Sequence, residues 1–166
     1  MAETEGNDSK YVVDASAWIS IEGHPGQNLI LFCIGKLIEQ GRITCPPEAW
    51  GEVLKCPWVH AWLDQYRDRI VAAPRSVDYL MTVGEVTHQF PGMASARGRK
   101  EKADQYVVGV ALFLNRTSNP TRHIVVAGES LAKRPNRKIP RACQHFGVEC
   151  CGLMEMLTRE FPNEKW

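Results

Sequence analysis

Two short runs constrain this chain more than any other feature. Tyr11-Val12-Val13 ends on Asp14, and Ile124-Val125-Val126-Ala127 is followed, after Gly128, by Glu129. A brief, wholly apolar run flanked by polar residues reads as a strand buried on both faces, the kind that parallel sheets contain. In open α/β sheets ligands gather outside the carboxyl ends of the strands. Both acids fall at such an end. An acid in that place also serves as a turn former or helix N-cap, and for Asp14 taken alone both readings stand.

The rest of the chain alternates strand and helix patterns. Residues 1–9 are polar, acidic and aperiodic, as in a solvated tail, and the pattern of a single domain runs over 10–162. A helix is predicted from Asn28 to Gln40, with Ile30, Cys33, Ile34, Leu37 and Ile38 at helical spacing and Gly41 as its stop. A strand follows at Arg42–Cys45, then a helix opened by Pro47 that carries Glu48 and Glu52 on one face. Pro57 breaks it, Trp58–Tyr66 forms another helix, and Ile70–Pro74 reads as a third strand. The helix predicted over Ser76–Phe90 has Val77, Leu80, Met81, Gly84 and His88 along one stripe. A buried helix is predicted over Lys102–Leu114 with Asp104 in its first turn, where the helix dipole favours a carboxylate with or without a ligand. The strand at His123–Ala127, a short helix over Pro140–Phe146, a strand at Val148–Cys151 and a helix over Leu153–Phe161 complete the pattern. This alternation predicts a three-layer α/β/α domain with a mostly parallel sheet of about five strands.

Charge is nearly balanced, 20 Lys and Arg against 19 Asp and Glu, so no bulk field draws the molecule to nucleic acid or membrane and any electrostatic preference is local. The apolar runs fall short of the ~20 residues that span a bilayer, which argues against a membrane protein. Six scattered cysteines without a secretory signal predict reduced thiols and a cytoplasmic location.

Asp14, Glu52, Asp104 and Glu129 are far apart in sequence, yet the expected topology can bring them to one edge of the sheet. Clustered carboxylates repel one another and favour protonation unless a cation neutralises them. Oxygen donors of this kind suit Mg²⁺ or Mn²⁺, and that chemistry suits phosphodiester hydrolysis. Two basic segments flank the acids: Arg97, Arg99 and Lys100 before Asp104, and Lys133 and Arg134 after Glu129. An acidic pocket with a basic rim fits a polyanion, although such loops also serve solubility alone.

The same residues resemble the PIN-domain family, the small α/β nucleases that include the VapC-like toxin ribonucleases, and within it a PIN-like branch of bacteria and archaea. The likeness rests on Val12-Val13-Asp14-Ala15-Ser16, Glu52-Val53-Leu54, Lys102-Ala103-Asp104 and Val125-Val126-Ala127-Gly128-Glu129, taken in that order, and on the run from Lys138-Ile139-Pro140 to Leu157. It covers Tyr11 to about Phe161. The resemblance implies a Mg²⁺- or Mn²⁺-dependent endoribonuclease acting on single-stranded RNA, with Asp14, Glu52, Asp104 and Glu129 as catalytic metal ligands and Ser16 supporting the first of them. Arg97, Arg99, Lys100, Lys133 and Arg134 then become candidate RNA contacts. The resemblance also implies a toxin-antitoxin system, with an antitoxin protein as partner and a homodimer. Glu129 stands where many relatives carry Asp, so its longer arm is expected to act through water.

Three rivals are weighed. A phosphoaspartyl phosphatase of the haloacid dehalogenase type needs a second acid at the position of Ser16, which leaves its general acid unfilled. A zinc module on Cys143, His145, Cys150 and Cys151 has the spacing of no ordinary finger, and core thiols explain these cysteines better. A PIN-like scaffold that binds RNA or a protein without cutting remains open, because fold does not guarantee activity.

Overall fold

A computed structural model of the chain describes residues 8–93, 103–128 and 138–166. The first element is strand β1, Lys10–Val13, whose Tyr and Val residues suit a pleated, buried surface. It lies at the centre of an all-parallel sheet with β2 (Ile43–Thr44), β3 (His123–Val126) and β4 (Cys150–Cys151) in the order β2-β1-β3-β4. Tyr11, Val12 and Val13 are all buried, as is every residue of β3. Successive side chains on a strand point to opposite faces, so both faces of the sheet are covered and the fold is a three-layer α/β/α arrangement. The helices among the described residues are α1 (Ala15–Ile19), α2 (Gln27–Glu39), α3 (Pro47–Val53), α4 (Pro57–Asp64), α5 (Arg67–Ile70), α6 (Val77–Gln89), α7 (Asp104–Thr117), α8 (Lys138–Phe146) and α9 (Leu153–Glu160). None of them is long and apolar enough to cross a membrane.

The expected fold class holds, with four strands among the described residues where about five are expected. The segment Ile70–Pro74 does not become a strand: α5 takes its first residue, and what remains is a single parallel bridge between Cys45 and Val71. Pro74 shortens this edge, because proline cannot donate to a ladder. α1 is also absent from the sequence reading. It is one and a half turns long and too brief for an amphipathic period to show.

Local signals worked where chemistry was strong. α2 ends in a Schellman motif: the Arg42 N–H donates to the Leu37 carbonyl at 3.0 Å, the Gly41 N–H donates to Ile38 at 2.9 Å, and Gly41 takes φ +68°. Pro47 occupies the first turn of α3. Ser76 caps α6 by accepting from the Tyr79 N–H at 3.1 Å. The stripe expected to face inward on α6 does not. Val77, Leu80 and Met81 are 73%, 63% and 68% exposed, and the helix buries Tyr79, Thr82, Val83 and Val86 instead. Both faces of α6 carry apolar residues, so the side that meets the core is chosen by fit against α7.

Gly109 of α7 makes that fit possible. A Cβ there would lie 2.7 Å from Val83 Cγ2 and 3.4 Å from its Cα, and a β-branched side chain has little freedom to withdraw. We expect Gly109→Ala to lower the thermal midpoint, because overpacking of about 1–3 kcal/mol outweighs the ~1 kcal/mol that alanine gains in helix propensity. An unchanged or higher midpoint would show that the two helices separate freely.

The C-terminal helix α9 is fastened to the sheet. Arg42 grips Glu160 through two hydrogen bonds of 2.6 Å, from Nη1 to Oε2 and from Nη2 to Oε1, while its Nε donates to the Ser9 carbonyl at 2.8 Å. The Tyr11 hydroxyl also donates to Glu160. Burial first, and then that carboxylate, hold the Tyr11 phenol above the ordinary range, so it stays a donor. All six cysteines are free thiols, five of them buried.

Candidate active site

Strand order places a site before any side chain is considered. From β1 the chain moves out to β2 on one side, and then returns to β3 on the other, so the carboxyl ends of β1 and β3 flank a crevice. Val13 pairs with Val126 at the end of the ladder, and the Asp14 N–H continues it by donating to the Val126 carbonyl at 2.9 Å. Asp14 therefore emerges at the mouth of that crevice.

Asp14 is 5% exposed, and its two carboxylate oxygens do different things. Oδ2 caps α1, accepting the Ser16 N–H at 3.0 Å and the Ser16 hydroxyl at 2.5 Å. Oδ1 is buried and has no hydrogen-bond partner among the described residues. The local and the functional readings of this residue are thus both realised, one on each oxygen. Capping needs a single acceptor and no burial, so it leaves the second oxygen unexplained. Buried polar atoms without partners are few in native proteins, and each calls for a reason.

Ser16 ties the two strand ends together. Its hydroxyl donates to Asp14 and accepts the Gly128 N–H at 2.9 Å. The approach is so close that a Cβ on Gly128 would stand 2.7 Å from the Ser16 carbonyl oxygen, a distance only glycine avoids. Glu129, the next residue, lies outside the described residues, as do Arg97, Arg99, Lys100, Lys133 and Arg134. We expect Ser16→Ala to lower the thermal midpoint, by about 1–3 kcal/mol of stability, because the hydroxyl's bonds to Asp14 and Gly128 are lost together. An unchanged midpoint would show that the hydroxyl does not tie the two strand ends.

Of the two acids on α3, the structure draws in the one that the resemblance does not favour. Glu52 is half-buried in the last turn, with no side-chain hydrogen bond or ion pair among the described residues. Glu48, in the first turn, has Oε2 buried without a partner there. Neighbouring groups register where Glu48 sits. Burial pushes the Cys45 thiol up to about 12, and the carboxylates of Asp14 and Glu48 both add to that rise. Burial likewise raises the Tyr79 phenol, with Glu48 and then Tyr106 adding to it. Asp14 and Glu48 are therefore both near one buried thiol, and Glu48 is also near Tyr79 of α6.

α7 packs against β1 and α3 and brings the remaining members. Asp104 is half-buried in its first turn. Gln105, 3% exposed, has Oε1 without a partner among the described residues, as has the hydroxyl of Tyr79. No three His, Cys, Asp or Glu side chains among the described residues form a group able to hold a metal ion. The donor chemistry nonetheless fits a hard cation at the level of single atoms, since Asp14 Oδ1 and Glu48 Oε2 are buried, anionic-type oxygens without a partner among the described residues. Tyr79 and Gln105 were not singled out from sequence, because a tyrosine or glutamine on a helix has no signature until its neighbours are known. Gly128 did have one: a glycine between a strand and an acid signals close backbone approach.

The chain belongs to the family described as Domain of unknown function (DUF4411), whose model matches residues 34–163. The match takes in Glu48, Glu52, Asp104 and Glu129 and begins after Asp14 and Ser16. None of the curated proteins compared with the chain matches it.

Proposed function

We propose that the protein is a Mg²⁺- or Mn²⁺-dependent endoribonuclease that hydrolyses phosphodiester bonds of single-stranded RNA, of the PIN-like kind that its motifs resemble. The observation that carries the reading is the unpartnered Oδ1 of Asp14, buried at the switch point of a parallel sheet while Oδ2 is fully used as a cap. Asp14 and Glu48 would hold the cation. Glu52, Asp104 and Glu129 stay in the proposed ligand set on the strength of the motif order. Such a cation, when bound, polarises a phosphoryl oxygen and acidifies water.

The chain's own contribution is positional. Ser16 holds Oδ2 of Asp14 through two hydrogen bonds, which leaves Oδ1 as the oxygen for a cation. Gly128 lets the strand end of β3 approach within hydrogen-bonding distance of α1. Tyr79, kept protonated, is a neutral neighbour of Glu48 and adds no further negative charge. Membership of a toxin-antitoxin pair, an antitoxin partner and a homodimer belong to the same proposal.

A second reading, an RNA-binding scaffold that does not cut, is favoured by the lack of a three-ligand group among the described residues. One assay separates the two. Purified protein incubated with labelled single-stranded RNA is expected to produce fragments with Mn²⁺ and none with EDTA. Retarded but intact RNA under both conditions would overturn the nuclease in favour of the scaffold.

A further inference from the structure

Away from the Asp14 crevice, the turn of 3₁₀ helix at Pro91–Met93 and helix α8 enclose a pocket of about 590 Å³. Phe90, Met93, Arg141, Gln144, His145 and Gln89 line it. Its aromatic wall is ordered: the rings of Phe90 and His145 meet edge to face at 5.4 Å, and Phe146 braces both from 6.1 Å and 4.8 Å. Arg141 and His145 are exposed and make no hydrogen bond or ion pair among the described residues. Among the described residues no carboxylate lines this pocket, whereas the adjoining one, of about 630 Å³, which shares Gln89 and His145 with it, includes Asp78 and Glu85. Rings braced from behind, two carboxamides and an unneutralised guanidinium match a planar heterocycle joined to an anion.

We propose that this pocket holds one nucleotide of a single-stranded RNA, with its base against Phe90 and His145, its edge within reach of Gln89 and Gln144, and its phosphate on Arg141. The assignment rests on the ribonuclease reading only for the polymer concerned. It makes the pocket a second point of grip, which orients a strand whose scissile bond lies elsewhere.

The test is fluorescence anisotropy with a short labelled single-stranded RNA in EDTA, where binding is read without cleavage. Arg141→Gln and His145→Ala are each expected to weaken binding about five-fold or more, the lower end of what one stacked base contributes. Arg141→Gln should also reduce the salt slope of the affinity by about one, while His145→Ala leaves it unchanged. His88→Ala, in the neighbouring acidic pocket, is the control and should bind as the unmodified protein does. Both side chains are exposed, and an unchanged thermal midpoint verifies the fold of each variant. Undiminished affinity in both variants, equal loss in the control, or no binding by the unmodified protein overturns the subsite. RNA that binds in EDTA but stays intact when Mn²⁺ is supplied overturns the ribonuclease reading and leaves the subsite standing.

Discussion

Asp14→Asn is expected to abolish Mn²⁺-dependent cleavage of single-stranded RNA, by at least about a hundred-fold, since losing even a neighbour of a metal ligand costs 10–100-fold. The substitution is informative because the two oxygens of Asp14 have separate work. The asparagine carbonyl can take the place of Oδ2 and accept both Ser16 donors, and asparagine caps helices about as well as aspartate. Its amide then occupies the position of Oδ1. A donor replaces an acceptor there, and no cation can bind to it. Thermal unfolding should therefore shift little while cleavage disappears. Asp104→Asn is expected to behave in the same way. Cleavage that survives in both folded variants would sink the metal-nuclease reading.

Glu160→Ala has the largest expected effect on stability. It deletes the acceptor for both guanidinium bonds of Arg42 and for the hydroxyl of Tyr11. The two charged side chains are only 15% and 7% exposed, so screening by water is weak and the surface-pair estimate does not apply. Removing one partner of a buried pair costs about 3–5 kcal/mol, because the other charge is left desolvated, which for a chain of this size is about 6–20 °C of thermal midpoint. The contrast lies on the same helix: Arg159, half-exposed in its pairs with Glu149 and Glu155, should cost less than about 1 kcal/mol when replaced by alanine. Near-equal midpoints for the two variants would show that the Arg42 clamp does not hold α9 to the sheet.

How far the site was legible depended on how each residue is positioned. Asp14 could be read because a strand end is a local event, marked by an apolar run that stops. The acids of α3 could not be ranked. Glu48 and Glu52 share a helix face by spacing, and only the packing of α1, α6 and α7 around the first turn decides which carboxylate loses its water. α6 failed for a related reason. Val77, Leu80 and Met81 form a stripe as regular as the one containing Tyr79, Val83 and Val86, and the Val83 contact with Gly109 belongs to two helices at once. The strand expected at Ile70–Pro74 has suitable residues, but proline and a position at the edge of the sheet leave it one bridge.

By itself the sequence determined the α/β class, the alternation of strands and helices, the ends of α2 and α6, the start of α3, and the place of Asp14 beyond β1, since all of these follow from short-range sterics, capping and the period of apolar residues. Tertiary structure alone decided which oxygen of Asp14 is spent on the cap and which stays unpartnered. It also decided that Oε2 of Glu48 is buried near Cys45, and that Arg42 and Glu160 meet across 118 positions. These are matters of desolvation and juxtaposition. Both depend on what lies on the far side of a residue, which a one-dimensional pattern does not contain.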